Sequence, residues 1–194
     1  MISDEYREKV MSGRSHWLDR SSDVGEFVRI LNGNFSNLKG LLVLDAGCAQ
    51  GRDSLEIFNW GMDVVGIDIN KDFILEAKNI CSEMQFDVGS VEHLPYENDK
   101  FDAVYCVNTL FYTDLKKSLL ELMRILKKGG IAFVTLDEKI VDLEKNVDVY
   151  SLDVEKSLEF FGDCNIVSKN YLERIDDSPF RHKHFLYQIV IRKD

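Results

Sequence analysis

The feature that most constrains the fold is the unbroken apolar run Leu41-Leu42-Val43-Leu44, which ends on an acid, Asp45, and breaks at once into Ala46-Gly47-Cys48-Ala49-Gln50-Gly51. A run without polar alternation belongs to a strand covered on both faces. Such a strand needs helices above and below it, and the rest of the chain supplies them in alternation. Leu55, Ile57 and Phe58 predict a helix after the glycine turn, and Asp63-Val64-Val65-Gly66-Ile67 predicts a second strand ending at Asp68. Phe73, Ile74, Ala77 and Ile80 then recur at helical spacing. Strands three and four are expected over Met84–Val88 and Phe101–Val107.

Leu115, Leu119, Leu122 and Leu126 predict one long helix, stopped by Gly129-Gly130 before a fifth strand over Ile131–Leu136. Val154, Leu158 and Phe161 mark a further helix, capped by Ser151 or Asp153. Two strands near Cys164–Tyr171 and Phe185–Ile191 close the chain. Their connection is too short for a helical crossover, so this pair is expected to be antiparallel. The expected fold is α/β: a doubly wound, mostly parallel, seven-stranded Rossmann-like sheet with an antiparallel last strand and helices on both faces. One domain is expected over residues 1–194, with 1–38 a helical lead-in and 39–194 the core.

Two features carry chemistry. Small residues at Gly47, Ala49 and Gly51 let backbone pass close to a ligand, and the helix starting near Arg52 can offer its first amides to a negative group. An ordinary tight strand-to-helix turn has the same look. The spacing is not that of the dinucleotide fingerprint, which wants a small residue where Arg52 stands. Asp68, at the end of the second strand, either starts a helix or accepts both hydroxyls of a ribose lying across the strand ends. With the glycine turn beside it, the ribose role is preferred. Asp45 suits a ligand carrying positive charge.

These residues resemble the class I S-adenosylmethionine-dependent methyltransferases. Leu42–Gly51 is similar to the family's first motif, Val65-Gly66-Ile67-Asp68 to its second and Gly89–Tyr96 to its adenine-side loop. Phe101-Asp102-Ala103-Val104 is similar to the fourth-strand signature, and Glu121–Gly130 to the helix and turn before strand five. Gly51-Arg52-Asp53-Ser54-Leu55 also resembles small-molecule enzymes of the tellurite-resistance and thiopurine type. The resemblance implies S-adenosylmethionine as cofactor, with S-adenosylhomocysteine as product. It places Asp45, Gly47, Ala49 and Gly51 around the methionine part, Asp68 on the ribose and Ile69 on the adenine face. Ser90 and Val91 would meet the adenine edge, and Val107 and Asn108 the methionine end. Ala49 and Ser90 stand where the family usually has glycine and aspartate.

The family carries no fixed catalytic residue, because a sulfonium methyl group needs alignment more than activation. Asn108, Tyr112 and His16 are the catalytic candidates, and Trp17, Phe111, His182 and His184 further acceptor-side candidates. Arg14, Trp17 and Arg20 place a lid, or a simple core cap, in the lead-in. His93 reads as a local hydrogen-bonding group. His182 and His184 share a strand face, but no third ligand stands at a matching spacing, so no metal is expected.

A net charge of -10 without a basic stripe disfavours nucleic acid, and no run approaches the roughly 20 apolar residues of a membrane span. A small-molecule acceptor is the expected partner, and no signal of oligomeric state is present. The acidic start and the four dispersed cysteines suit a reducing cytoplasm. A non-catalytic, methyltransferase-like partner or sensor subunit, aminopropyl transfer and a nicotinamide-dependent oxidoreductase are the competing readings.

Overall fold

The computed structural model describes residues 22–162, 164–177 and 181–194. Arg14, His16, Trp17 and Arg20, and with them the expected lid, lie outside the described residues. Helix α1 (Val24–Asn34) leads into β1 (Leu42–Ala46), α2 (Arg52–Asn59), β2 (Asp63–Asp68), α3 (Lys71–Ile80) and β3 (Gln85–Val88). There follow β4 (Phe101–Cys106), a 3-10 turn (Leu110–Tyr112), α4 (Leu115–Ile125), β5 (Leu126–Asp142) and β6 (Val147–Ser151). A short helix, α5 (Val154–Ser157), runs into a 3-10 turn, and β7 (Asn165–Asp176) and β8 (His182–Arg192) complete the chain.

The sheet order is β3-β2-β1-β4-β5-β8-β7. The first five of these strands are mutually parallel. β8 runs antiparallel to both of its neighbours, as the short final connection requires. Both faces are covered. Leu44, Val104 and Cys106 pack with Leu119, Leu122 and Phe161 on one side. Their neighbours in sequence, Val43, Ala103 and Tyr105, pack with Phe27, Leu31, Ile57 and Ile74 on the other. This alternation within an all-apolar strand is the period-two geometry of a sheet sandwiched between helices.

Helix ends follow local chemistry. Asn70 caps α3 by accepting from the Asp72 and Phe73 amides, at 2.9 and 3.3 Å. Asp153, one of the two expected caps, accepts from Lys156 N–H and begins α5.

Several boundaries differ from expectation, and β7 runs on to Asp176 while β8 begins at His182. α4 ends at Ile125, and Leu126 already pairs with Phe101 in the sheet. Gly129-Gly130 therefore does not stop a helix. A Cβ on Gly130 would lie 2.8 and 2.9 Å from the carbonyl oxygens of Lys127 and Asp102, so glycine is needed where β5 shifts register against β4. β5 also runs 17 residues, to Asp142, and its outer half pairs with β6 as an eighth strand beside the expected seven. The charged stretch between them concealed this hairpin.

Candidate active site

The chain passes from β1 to β2 and β3 on one side and returns to β4 on the other, so β1 and β4 flank a switch point in strand order. Ligands on such sheets bind outside the carboxyl ends of the strands at that point. A cleft of about 190 Å3 opens there, lined by the turn after β1, the end of β2, Gly89–Glu92 and the segment after β4. Nine of the ten residues expected to hold the cofactor line it: Asp45, Gly47, Ala49, Asp68, Ile69, Ser90, Val91, Val107 and Asn108.

The turn is built by backbone conformation. Gly47 adopts φ +84°, and a Cβ there would sit 2.0 Å from Thr109 Oγ1, so glycine lets the β1 and β4 segments touch. The amides of Gly47 and Cys48 both donate to Ile67 O, at 2.8 and 3.0 Å. Ala49 takes φ +46°, a conformation glycine adopts more easily, and its amide donates to Asp68 Oδ2 at 3.0 Å. Asp68 Oδ1 accepts from Asn70 N–H at 2.8 Å. Burial raises the Asp68 pKa from its ordinary value, although backbone amides at Asn70, Ala49 and Ile69 work the other way. Ile69 stands 67% exposed on the cleft wall, an apolar surface offered to a flat partner.

Gly51, the tenth residue, does not line the cleft. A Cβ there would lie 2.9 Å from Phe86 Cζ and 3.1 Å from the Ala77 methyl, so this glycine serves helix-to-sheet packing. Spacing alone could not separate these two uses.

Three acids, Asp45, Asp53 and Asp68, line the cleft beside the turn after β1. Asp45 is buried, with Ser54 Oγ–H donating to its Oδ2 at 2.5 Å. Asp53 accepts from Tyr105 O–H at 3.0 Å and bonds Arg52 Nε at 2.8 Å. Burial, and then the charges of Asp53 and Asp68, push the Asp45 pKa up to about 8. A cationic ligand beside such a group would favour its ionised form. Tyr105 and Thr109 were not singled out from sequence, since only the fold brings them to the cleft, and Arg52 and Asp53 were noted there only in the run that starts the helix after the turn.

A pH dependence follows. The folded state holds a proton on Asp45 that the unfolded chain releases near pH 3.8, so this group's stabilising contribution is lost as pH rises towards about 8. The slope approaches about 1.4 kcal/mol per pH unit, or roughly 3–5 °C in Tm for a domain of this size. Thermal melts of the ligand-free protein between pH 6 and 8 are expected to fall along that slope and to flatten in Asp45→Asn. A melt equally steep in both proteins would show Asp45 already ionised.

After β4, Asn108 takes φ +55°, and its amide donates to Thr135 Oγ1 at 2.8 Å. Its Oδ1 accepts from Arg174 Nη2 at 2.7 Å, while the buried Nδ2 has no hydrogen-bond partner. Tyr112 lines the cleft, whereas Phe111 packs with Ile140 and Tyr150. Ser90 Oγ accepts from the Glu92 amide at 3.1 Å. His93 is exposed and outside the cleft. His182 and His184 lie buried on β8, also away from the cleft lining. Burial opposes a charge on His184, yet bonds to Asp137 and Asp176 hold its pKa above the usual histidine value. The four cysteines are free thiols, and burial pushes Cys48 and Cys106 well up, so neither is a ready nucleophile.

The methyltransferase-domain family matches residues 44–134, the stretch that builds this cleft. Among relatives, the O-methyltransferase resE of Aspergillus sclerotiorum is 27% identical over 148 residues, covering 66% of this chain and 56% of that protein. The tRNA U34 carboxymethyltransferase of Campylobacter curvus is 31% identical over 113 residues, covering 55% and 37%. The chain thus spans about half or less of the length of these curated relatives. A solved S-adenosylmethionine-dependent methyltransferase from Methanosarcina mazei superposes with a TM-score of 0.69 at 19% identity, covering 84% of this chain and 96% of that one. Sheet order, cleft and matched segment agree: residues 44–134 match the methyltransferase domain, and the chain is similar to the class I S-adenosylmethionine-dependent methyltransferases.

Proposed function

We propose that residues 1–194 form a single methyltransferase domain that methylates a small-molecule acceptor. The observation that carries this reading is the shared cleft at the ends of β1, β2 and β4, acidic at one end and bordered by Asn108, Tyr112 and Thr113 at the other. Asp68 accepts the ribose hydroxyls, Ile69 packs on the adenine face and Ser90 and Val91 meet the adenine edge. Asp45, Gly47, Ala49, Val107 and Asn108 border the methionine part. When bound, the cofactor supplies a methyl group already activated on a sulfonium.

The chain's own task is to exclude water and aim the acceptor. Asn108 is held rigid by Thr135 and Arg174, so its carboxamide is a fixed polar point for orienting an acceptor. A general base is required only for an acceptor whose proton is held tightly. Net charge of -10 supports a small molecule over a polyanion. Among the described residues no helix is long and apolar enough to cross a membrane.

The partner-subunit reading drew on Ala49 and Ser90. Ala49 keeps its amide on Asp68 despite its positive φ, and the Ser90 hydroxyl retains a free lone pair and its proton for adenine. Both support binding. Calorimetric titration with S-adenosylmethionine, S-adenosylhomocysteine and NAD tests the proposal. Micromolar affinity for the two adenosyl ligands and none for NAD is expected. A folded protein that binds neither adenosyl ligand would overturn the enzyme reading.

A further inference from the structure

We propose a binding site for a divalent transition-metal ion, of the zinc type, formed by Asp176 at the end of β7 and by His182 and His184 on β8. Their ligand atoms all lie within 4.8 Å of one another. Strand register makes the cluster: Asp176 stands opposite His182, and Arg174 opposite His184. His184 Nε2 lies 3.4 Å from Asp176 Oδ2. Two ligand atoms on bonds of about 2.0–2.1 Å at a tetrahedral angle are separated by about that distance. His182 brings a second imidazole on the same strand face, its ring centroid 4.8 Å from that of His184.

The surroundings match what metal-bound histidines require. The second nitrogen of His184, Nδ1, lies 2.6 Å from the buried Asp137 Oδ1. A carboxylate in that place keeps the proton on Nδ1 and turns the Nε2 lone pair towards the ion. That lone pair faces the Asp176 carboxylate, an arrangement that needs a cation, or a proton, between them. Arg174 Nε lies 3.3 Å from Asp176 Oδ1 as an ion pair, while Oδ2 is the oxygen within 3.4 Å of His184 Nε2. Two imidazoles and one carboxylate select zinc, iron(II) or nickel over magnesium and calcium, which prefer all-oxygen shells. The site is tied to the cleft, because Arg174 also donates to Asn108 Oδ1. Occupancy therefore stiffens the acceptor-side wall.

The test uses the full chain, stripped with a chelator and titrated with Zn2+, Co2+ and Mg2+. One equivalent of Zn2+ is expected to bind, Mg2+ is not, and one equivalent of Co2+ should give the intense visible bands of a four-coordinate ion. His184→Gln and Asp176→Asn should each lower Zn2+ affinity at least thirtyfold. Asp176 is at the margin of the cluster, so its variant is the one expected to fold unchanged. A folded wild type that binds neither Zn2+ nor Co2+ overturns the proposal and leaves an imidazolium between the two carboxylates. Affinity unchanged in both variants overturns it as well. None of these measurements involves S-adenosylmethionine or an acceptor, so they stand or fall apart from the methyl-transfer reading.

Discussion

Asp68→Ala is expected to lower affinity for S-adenosylmethionine and S-adenosylhomocysteine by a factor on the order of a hundred or more. Two losses combine. A carboxylate accepting two ribose hydroxyls makes charge-assisted bonds worth about 1.5–3 kcal/mol each. Asp68 also organises the turn itself, taking the Ala49 amide on one oxygen and the Asn70 amide on the other. Without it, Ala49 has no partner holding it at positive φ, and the turn relaxes before any ligand arrives. Asp68→Asn keeps one acceptor oxygen and should fall between wild type and alanine. Calorimetry on variants with near-native melting temperatures decides the matter. An alanine variant within threefold of wild type would remove Asp68 from the ribose site.

The second large effect is on stability. Gly47→Ala should cost about 3 kcal/mol and lower Tm by roughly 6–12 °C. Part of that is the left-handed backbone, about 1 kcal/mol for a residue with a Cβ. The rest is a clash: the new methyl would sit 2.0 Å from Thr109 Oγ1 and 2.8 Å from Thr109 Cβ, so a rotamer change alone cannot relieve it. Gly40 supplies the control, with φ +80° and nothing within 4 Å of a Cβ. Gly40→Ala should show the backbone cost alone. Equal melting temperatures for the two variants would mean that the β1 and β4 segments do not press together at Gly47.

The parallel half of the sheet was legible because its signals are local. Leu41–Leu44 and Val64–Ile67 are short apolar runs, each ending on an acid, and each became a buried strand whose acid reaches the cleft. Nothing comparable marked the outer half of β5. Beyond Asp137 only Ile140 and Asp142 are buried, and the strand pairs with a five-residue β6 in which apolar and polar residues mix. The glycines misled in two ways. Gly51 sits at ligand-like spacing but answers to Phe86 and Ala77, and Gly129-Gly130 resembles a helix stop but permits a shift in strand register. Long-range pairs left no trace in the sequence. Asn108 meets Arg174 across 66 positions, and His184 meets Asp137 across 47. The group that stands beside His182 and His184 is of this kind. Asp176 is a neighbour through strand pairing and not through any motif.

The hairpin of β5 and β6, with the outer ends of β7 and β8 beside it, is an antiparallel ribbon that continues past the last parallel strand. Antiparallel ribbons lengthen or shorten at their tips, two residues at a time, without changing which side chains face which side. The parallel strands have no such freedom, since each is locked between crossover helices. Evolution can therefore edit this overhang, insertion by insertion, while the turn after β1 stays untouched.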